Sequence, residues 1–333
     1  MGRELTAELP DPASLRLVRE APIPVAIVTG FLGSGKTTLI RALLRDPGLE
    51  GTAVVVNEFG EAGLDHLLVE SAREDTVLLE GGCLCCATHG DLVRALRSLL
   101  DRRERAELPA YRRVVVETSG LADPAPILQT LMSDPLRLSR YRLASLTATV
   151  DGLLGSDTLD RYAESSRQVA LADRILITKT DLADEAQMAA TVGAVRCRSL
   201  APIEPVAWGR GNGAALFQPS LRSRTPEGDH GTHTHGPYAT VTRSVDRALA
   251  WPRVEAWLAN AVDRHGAELL RVKALLAIEG EEGPVLLQAV QHVVHRPERL
   301  AAWPEGMQEG RIVMIGCGLE AEALRRMVDE LLG

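Results

Sequence analysis

The chain has 333 residues, 45% hydrophobic, 25% charged and only 3% aromatic, with a formal net charge of -8. That length favours one large domain plus a smaller one, and that composition excludes a disordered or fibrous chain. The acidic balance argues against general attraction to nucleic acid or anionic lipid, and the sequence shows neither an apolar leader nor a membrane-spanning run, so a cytoplasmic protein with no nucleic-acid and no membrane partner is expected.

Residues 1–24 read as an N-terminal extension. From Val25 onward, short apolar, β-branched runs alternate with helix-patterned segments. The runs are Val25–Val28, Ala53–Val56, Val77–Leu79, Val114–Val116, Leu146–Val150, Ile175–Ile177 and Pro205–Ala207. Strands buried on both faces read this way. Between them, Leu39–Arg45, Asp91–Arg103 and Glu185–Val195 carry apolar residues near i, i+3 and i+4, as helices packed on a sheet require. Residues 25–217 are therefore expected to form an α/β domain around a doubly wound, mostly parallel sheet. Residues 218–237 are rich in Pro, Gly, Ser, Thr, Asp and His, and read as a mobile, His-containing linker. Residues 238–333 are expected to form a smaller α+β domain of split β-α-β type, ordered β-α-β-β-α or a close variant. Its elements are strands at Tyr238–Val245, Leu269–Ile278, Val285–Val294 and Arg311–Ile315, and helices at Pro252–Arg264 and Glu320–Leu332.

The first apolar strand runs into Gly30-x-x-Gly33-Ser34-Gly35-Lys36-Thr37-Thr38, which matches G-x-x-x-x-G-K-T, and a helix follows. Glycines let backbone N–H groups turn inward around phosphate oxygens. Lys36 sets a point charge on the β and γ phosphates, and Thr37 offers a hydroxyl to Mg2+. Glu117 ends the strand Val114–Val116 and Gly120 follows three residues later. The carboxylate can hold Mg2+, and the Gly120 amide can bond the γ-phosphate and so sense its loss. Lys36, Thr37, Glu117 and Gly120 are thus candidate catalytic residues. Thr178-Lys179-x-Asp181 follows a buried strand and differs by one residue from the N-K-x-D by which GTPases read guanine. Asp181 would accept from the ring N–H and exocyclic amine while the Lys179 stem lies along the base. Thr178 in place of Asn is expected to remove the amide that ties this turn to the phosphate loop, softening affinity. Only Lys36, Lys179 and Lys273 are lysines among the 37 basic residues. In an arginine background the compact ammonium is a marked choice.

Cys83, Cys85 and Cys86 form C-x-C-C behind two glycines, three of the five cysteines in the chain. That spacing suits soft-metal thiolate ligation better than a disulfide, with His89 a candidate fourth donor. Adjacent cysteines face different sides of an extended backbone, which favours two thiolates binding at once. His230, His233 and His235, in the expected linker, are a second, looser candidate metal set.

Together, T-G-F-L-G-S-G-K-T-T, the segment Asn57–Asp65, G-G-C-L-C-C, E-T-S-G-L-A-D-P and T-K-T-D resemble the CobW family of GTPases, which includes zinc-handling metallochaperones and nitrile hydratase activators. The likeness spans Val25–Asp181 and continues through Arg271–Lys273, Gln288–His292 and Ile315. It implies slow GTP hydrolysis to GDP, Mg2+, Zn2+ or alternatively Co2+ at the cysteine loop, a client metalloprotein, and homodimerisation that changes with nucleotide or metal. It also implies that Asn57–Asp65 is a switch, with Glu61 and Asp65 candidates for Mg2+, metal or the attacking water. Some relatives place an acidic residue where this chain has Val56, which removes that carboxylate. Lys273 falls on an R-x-K motif and is expected at a domain or client contact, or else on the plain surface. The activity implied is a GTP-hydrolysing metallochaperone. The rivals are a cobalt- or iron-inserting activase of nitrile hydratase or corrin-pathway type, and a metal buffer or sensor with a nucleotide-gated partner interaction.

Overall fold

The computed structural model describes residues 22–43, 45–46, 49–56, 77–80, 90–133, 140–207, 213–217, 230–235, 237–304 and 307–333. Two compact units emerge, one drawn from residues 21–224 and the other built around residues 225–333.

The first unit holds β1 (Ile23–Gly30), β2 (Thr52–Val56), β3 (Val77–Glu80), β4 (Arg113–Glu117), β5 (Tyr141–Asp151), β6 (Arg174–Thr178) and β7 (Ile203–Pro205). Among the described residues they make one sheet in the order β3-β2-β4-β1-β5-β6-β7, with every pairing parallel. The doubly wound expectation holds. Helices α1 (Lys36–Leu43), α2 (Gly90–Glu104), α3 (Pro124–Ser133), α4 (Gly155–Arg161), α5 (Ala163–Leu171) and α6 (Glu185–Arg196) supply the crossovers. The continuous apolar runs are explained by cover on both faces. Ala26 and Val28 pack with Leu39, Ile40 and Leu43 of α1, while Ala148, Val150 and Ile175 pack with Leu159, Val169 and Val195 of α4, α5 and α6. β1 begins at Ile23, so the N-terminal extension stops short of residue 24. Central β1 has β4 on one side and β5 on the other, and the loops leaving the carboxyl ends of these strands meet where open α/β sheets bind ligands.

The second unit holds β8 (His230–His235), β9 (Tyr238–Val245), α7 (Trp251–His265), β10 (Leu269–Leu276), β11 (Val285–Val290), β12 (Val293–Val294), β13 (Glu298–Arg299), β14 (Gly310–Cys317) and α8 (Ala321–Leu332). Its sheet runs β12-β11-β10-β14-β9-β8, with β13 on β11, and is antiparallel throughout. Val272, Ala274 and Leu276 face a core shared with Val254, Trp257 and Leu258 of α7 and Leu324, Val328 and Leu331 of α8. The Trp257 indole N–H donates to the Met327 carbonyl at 2.7 Å and ties the two helices together.

Two expectations are corrected here. Residues 230–235 are not part of a mobile linker: they form β8, paired along its length with β9 from His230↔Arg243 to His235↔Tyr238. Composition missed this because an edge strand needs backbone partners more than apolar side chains. The run Val285–Val294 is not one strand but a hairpin, turning at Gln291, whose φ is 52°. A left-handed non-glycine residue, with only Gln291 and His292 between two apolar runs, leaves no turn signature to read.

Candidate functional site

The phosphate loop is shaped by what its glycines lack. Gly30 has φ 145°, and a Cβ there would lie 2.2 Å from Thr149 Oγ1 and 2.5 Å from its carbonyl oxygen. Only glycine lets β1 enter the loop this close to β5. Ser34 Oγ then meets Thr149 Oγ1 at 2.7 Å, pinning the middle of the loop. Lys36, 8% exposed, donates to the carbonyls of Gly30 at 2.9 Å and Phe31 at 3.1 Å, so its ammonium lies inside the curve of the loop. Gly33 and Thr38 are exposed at the rim.

Register brings the second motif alongside. Val28 of β1 pairs with Glu117 of β4, and Thr37 Oγ1 donates to Glu117 Oε1 at 2.9 Å. Glu117 is 1% exposed, a depth at which a carboxylate persists only beside cations or donors. The two oxygens form a hard-donor pair of the kind Mg2+ takes, next to the loop that would hold the phosphates. Gly120 packs so tightly on the loop that a Cβ would lie 2.6 Å from Leu32 Cδ2 and 2.7 Å from the Leu32 nitrogen.

The base turn is tied to the phosphate loop after all. Thr178 Oγ1 donates to the Ser34 carbonyl at 2.7 Å, so the tie expected to be lost with Thr in place of Asn is made by a hydroxyl. A short hydroxyl reaches because Gly35 has no side chain: a Cβ there would sit 3.2 Å from Thr178 Oγ1. Thr178→Val keeps the shape and leaves a buried carbonyl unmatched, so GTP affinity should fall about tenfold in a fluorescent-nucleotide titration.

Asp151, which the sequence reading passed over, organises the lysine. Its Oδ2 accepts from Lys179 Nζ at 2.6 Å, and its Oδ1 accepts from the amides of Leu153 at 2.8 Å and Leu154 at 3.2 Å. Lys179 itself is left-handed, with φ 54°. A β-sheet run that ends in Asp just as another ends in Glu117 was the available signal. Phe31, Ser34, Asp151, Leu154, Thr158 and Lys179 line a small cleft between the phosphate loop and the base turn. Asp181 is exposed on the turn that follows.

Cys83, Cys85, Cys86, His89 and the segment with Glu61 and Asp65 fall outside the described residues. Among the described residues no group of three His, Cys, Asp or Glu could hold a metal ion. His230, His233 and His235 fall on the edge strand β8, paired with β9. Lys273, on β10 opposite Gln288 and Val313, is 4% exposed, which excludes the plain-surface alternative.

Residues 24–206 match the family model described as the CobW/HypB/UreG nucleotide-binding domain, and residues 238–332 match the cobalamin synthesis protein cobW C-terminal domain. The chain is 32% identical to the zinc chaperone YjiA of Escherichia coli over 311 residues, covering 91% of this chain and 97% of that protein. It is 32% identical to the zinc-regulated GTPase metalloprotein activator 1 of Schizosaccharomyces pombe over 197 residues, 57% of this chain and 47% of the relative. The crystal structure of Zn(II)-bound YjiA GTPase from E. coli superposes with a TM-score of 0.65 at 27% identity, covering 94% of this chain and 99% of that one.

Proposed function

The chain belongs to the CobW/HypB/UreG family, and from that premise we propose that it is a GTPase that couples GTP hydrolysis to binding zinc and passing it to a client metalloprotein. The observation that carries the nucleotide half is the bond from Thr178 to Ser34, which makes one site of the phosphate loop and the guanine-reading turn. Support for the metal half comes from the relatives named as zinc chaperones and from the thiolate-rich C-x-C-C motif, placed in chain order between the switch segment and Glu117.

In this reading Lys36 and the loop amides hold the β and γ phosphates, Asp181 reads guanine, and Lys179, steered by Asp151, lies along the base. Thr37 and Glu117 would hold Mg2+, which when bound supplies charge neutralisation at the phosphates. Water attacks the γ-phosphorus, the bond to the β-bridging oxygen breaks, and GDP and phosphate leave. Gly120 registers the loss through its amide, and the switch segment repositions the thiolates. Intrinsic turnover is slow because no glutamine follows Gly120 to orient the water, and Glu61 is the candidate for that task.

Cys83, Cys85 and Cys86 would take Zn2+ as cargo in thiolate form, with His89 alongside, and Co2+ is the alternative ion. Binding then releases protons and weakens as pH falls. A cytoplasmic location suits reduced thiols, and no helix among the described residues is long and apolar enough to cross a membrane.

A protein partner at the nucleotide face is supported by the apolar side chains exposed there. Leu32, Leu121, Leu153, Leu154, Tyr162 and Leu182 are the exposed large hydrophobics among the described residues. Most follow the carboxyl ends of β1, β4, β5 and β6, and Tyr162 stacks on Phe31 of the phosphate loop with ring centroids 4.5 Å apart. Such a rim fits a second copy or a client that docks on the loaded state. Leu153→Asp should abolish self-association that a non-hydrolysable GTP analogue induces in sedimentation velocity, and unchanged association would remove this face from the account.

The coupling is tested by Zn2+ competition against a chromophoric chelator with the GTP analogue or GDP bound. The expected result is binding at least about tenfold tighter with the analogue. Equal affinity in both states would leave a metal buffer. A preference confined to Co2+ would point to an activase.

A further inference from the structure

We propose that Gln168 is a positioning residue for hydrolysis, holding the turn that carries Gly120 in register with the phosphate loop. The inference rests on the reading of Gly120 as the γ-phosphate sensor. Gln168 lies in α5, 1% exposed, and its amide nitrogen donates to the carbonyls of Gly120 and Ala122, both at 3.1 Å. Both partners are carbonyls, so the amide orientation is fixed by chemistry. Its Oε1 is left buried with no hydrogen-bond partner in the structure described. An apolar side chain of the same size would remove that orphan but would take the donor from two carbonyls. What the amide achieves at this position is to hold one loop.

The hold is directional. The carbonyl and N–H of a trans peptide point opposite ways. The Ala122 amide donates to the Ser119 carbonyl at 3.1 Å, which turns the Gly120 N–H outward from the turn. Gln168 fixes the carbonyl of the next peptide, Gly120–Leu121, on the α5 side, so the chain is held on both sides of the Gly120 Cα. Arg167, the preceding residue of α5, pairs with Asp123 at 2.7 Å, and Asp123 Oδ1 accepts from the Ala125 amide at 2.9 Å at the start of α3. The loop from Gly120 to Asp123 is thus clamped by two consecutive α5 side chains. Tyr162, directly before α5, stacks on Phe31. α5 and the residue that leads into it therefore touch both the sensor turn and the phosphate loop.

The test compares wild type with Gln168→Met, which keeps length without a donor, and Gln168→Glu, which keeps shape and sets a carboxylate against two carbonyls. Expected for both is a kcat lowered about ten- to a hundredfold, with KM for GTP rising only as far as the affinity for the analogue falls. The preference for a non-hydrolysable GTP analogue over GDP should shrink, and GDP affinity should stay within about threefold of wild type, because GDP lacks the group that the turn reads. If analogue and GDP affinities fall together, the role is merely structural and the proposal is wrong. An unchanged kcat and an unchanged preference would also overturn it. A wild type that neither hydrolyses GTP nor distinguishes the analogue from GDP would instead remove the GTPase reading, and this proposal with it. Should the Met variant fail to fold, the same readouts on the Glu variant decide.

Discussion

Lys36→Ala should cut GTP turnover by about a hundred- to a thousandfold, and Lys36→Arg should do nearly as badly. The ammonium lies within the loop, 2.9 Å from the Gly30 carbonyl and 3.1 Å from that of Phe31. A compact donor fits between two carbonyls on adjacent residues and can still reach a phosphate. A planar guanidinium is wider and fixed in its fork, so it displaces the loop it should complete. The chain uses arginine almost everywhere else, so lysine at this position is a demand of the site. Phosphate release at saturating GTP and Mg2+ measures the effect, and a thermal melt shows that the fold survives. A Lys36→Arg protein with near-normal turnover would mean that the loop does not grip phosphate in the way described.

Glu117→Gln should lower kcat by about a hundredfold or more and raise the Mg2+ concentration that half-saturates turnover, without destabilising the protein. The two effects separate for a physical reason. The Glu117 carboxylate is 1% exposed and takes its bond from Thr37 at 2.9 Å. An amide keeps the shape and can still accept from that hydroxyl, while the cost of burying a charge disappears. Stability should hold or rise as activity collapses. Mg2+ titrations of turnover, paired with urea unfolding, measure both. A loss of stability equal to the loss of activity would assign Glu117 to the core and not to the cation.

Local chemistry made much of this legible in the sequence. The phosphate loop, the Glu117 strand end and the base turn each announce themselves by residue type and spacing, because phosphate, Mg2+ and guanine constrain their partners within a few positions. The parallel sheet was legible for a related reason: strands covered on both faces need unbroken apolar runs. What stayed hidden depends on distances across the fold. The hydroxyl of Thr178 replaces an amide only because β6 runs close to a glycine of the loop. Gln168 looks like any polar residue between Arg167 and Val169 until α5 is seen to back the turn at Gly120. β8 was read as linker because its histidines, glycine and threonines carry no apolar pattern, while its register comes from the backbone of β9.

The account turns on whether nucleotide and metal chemistry are linked in one chain. GTP turnover by metal-stripped protein, titrated with Zn2+ and in parallel with Co2+, addresses this directly in wild type and in a variant with Cys83, Cys85 and Cys86 all changed to Ser. The predicted result is a rate that responds to Zn2+ near one equivalent in wild type and ignores it in the triple variant, with basal turnover alike in both. Turnover indifferent to either metal in wild type, or an unaltered Zn2+ response in the triple variant, would contradict the coupling.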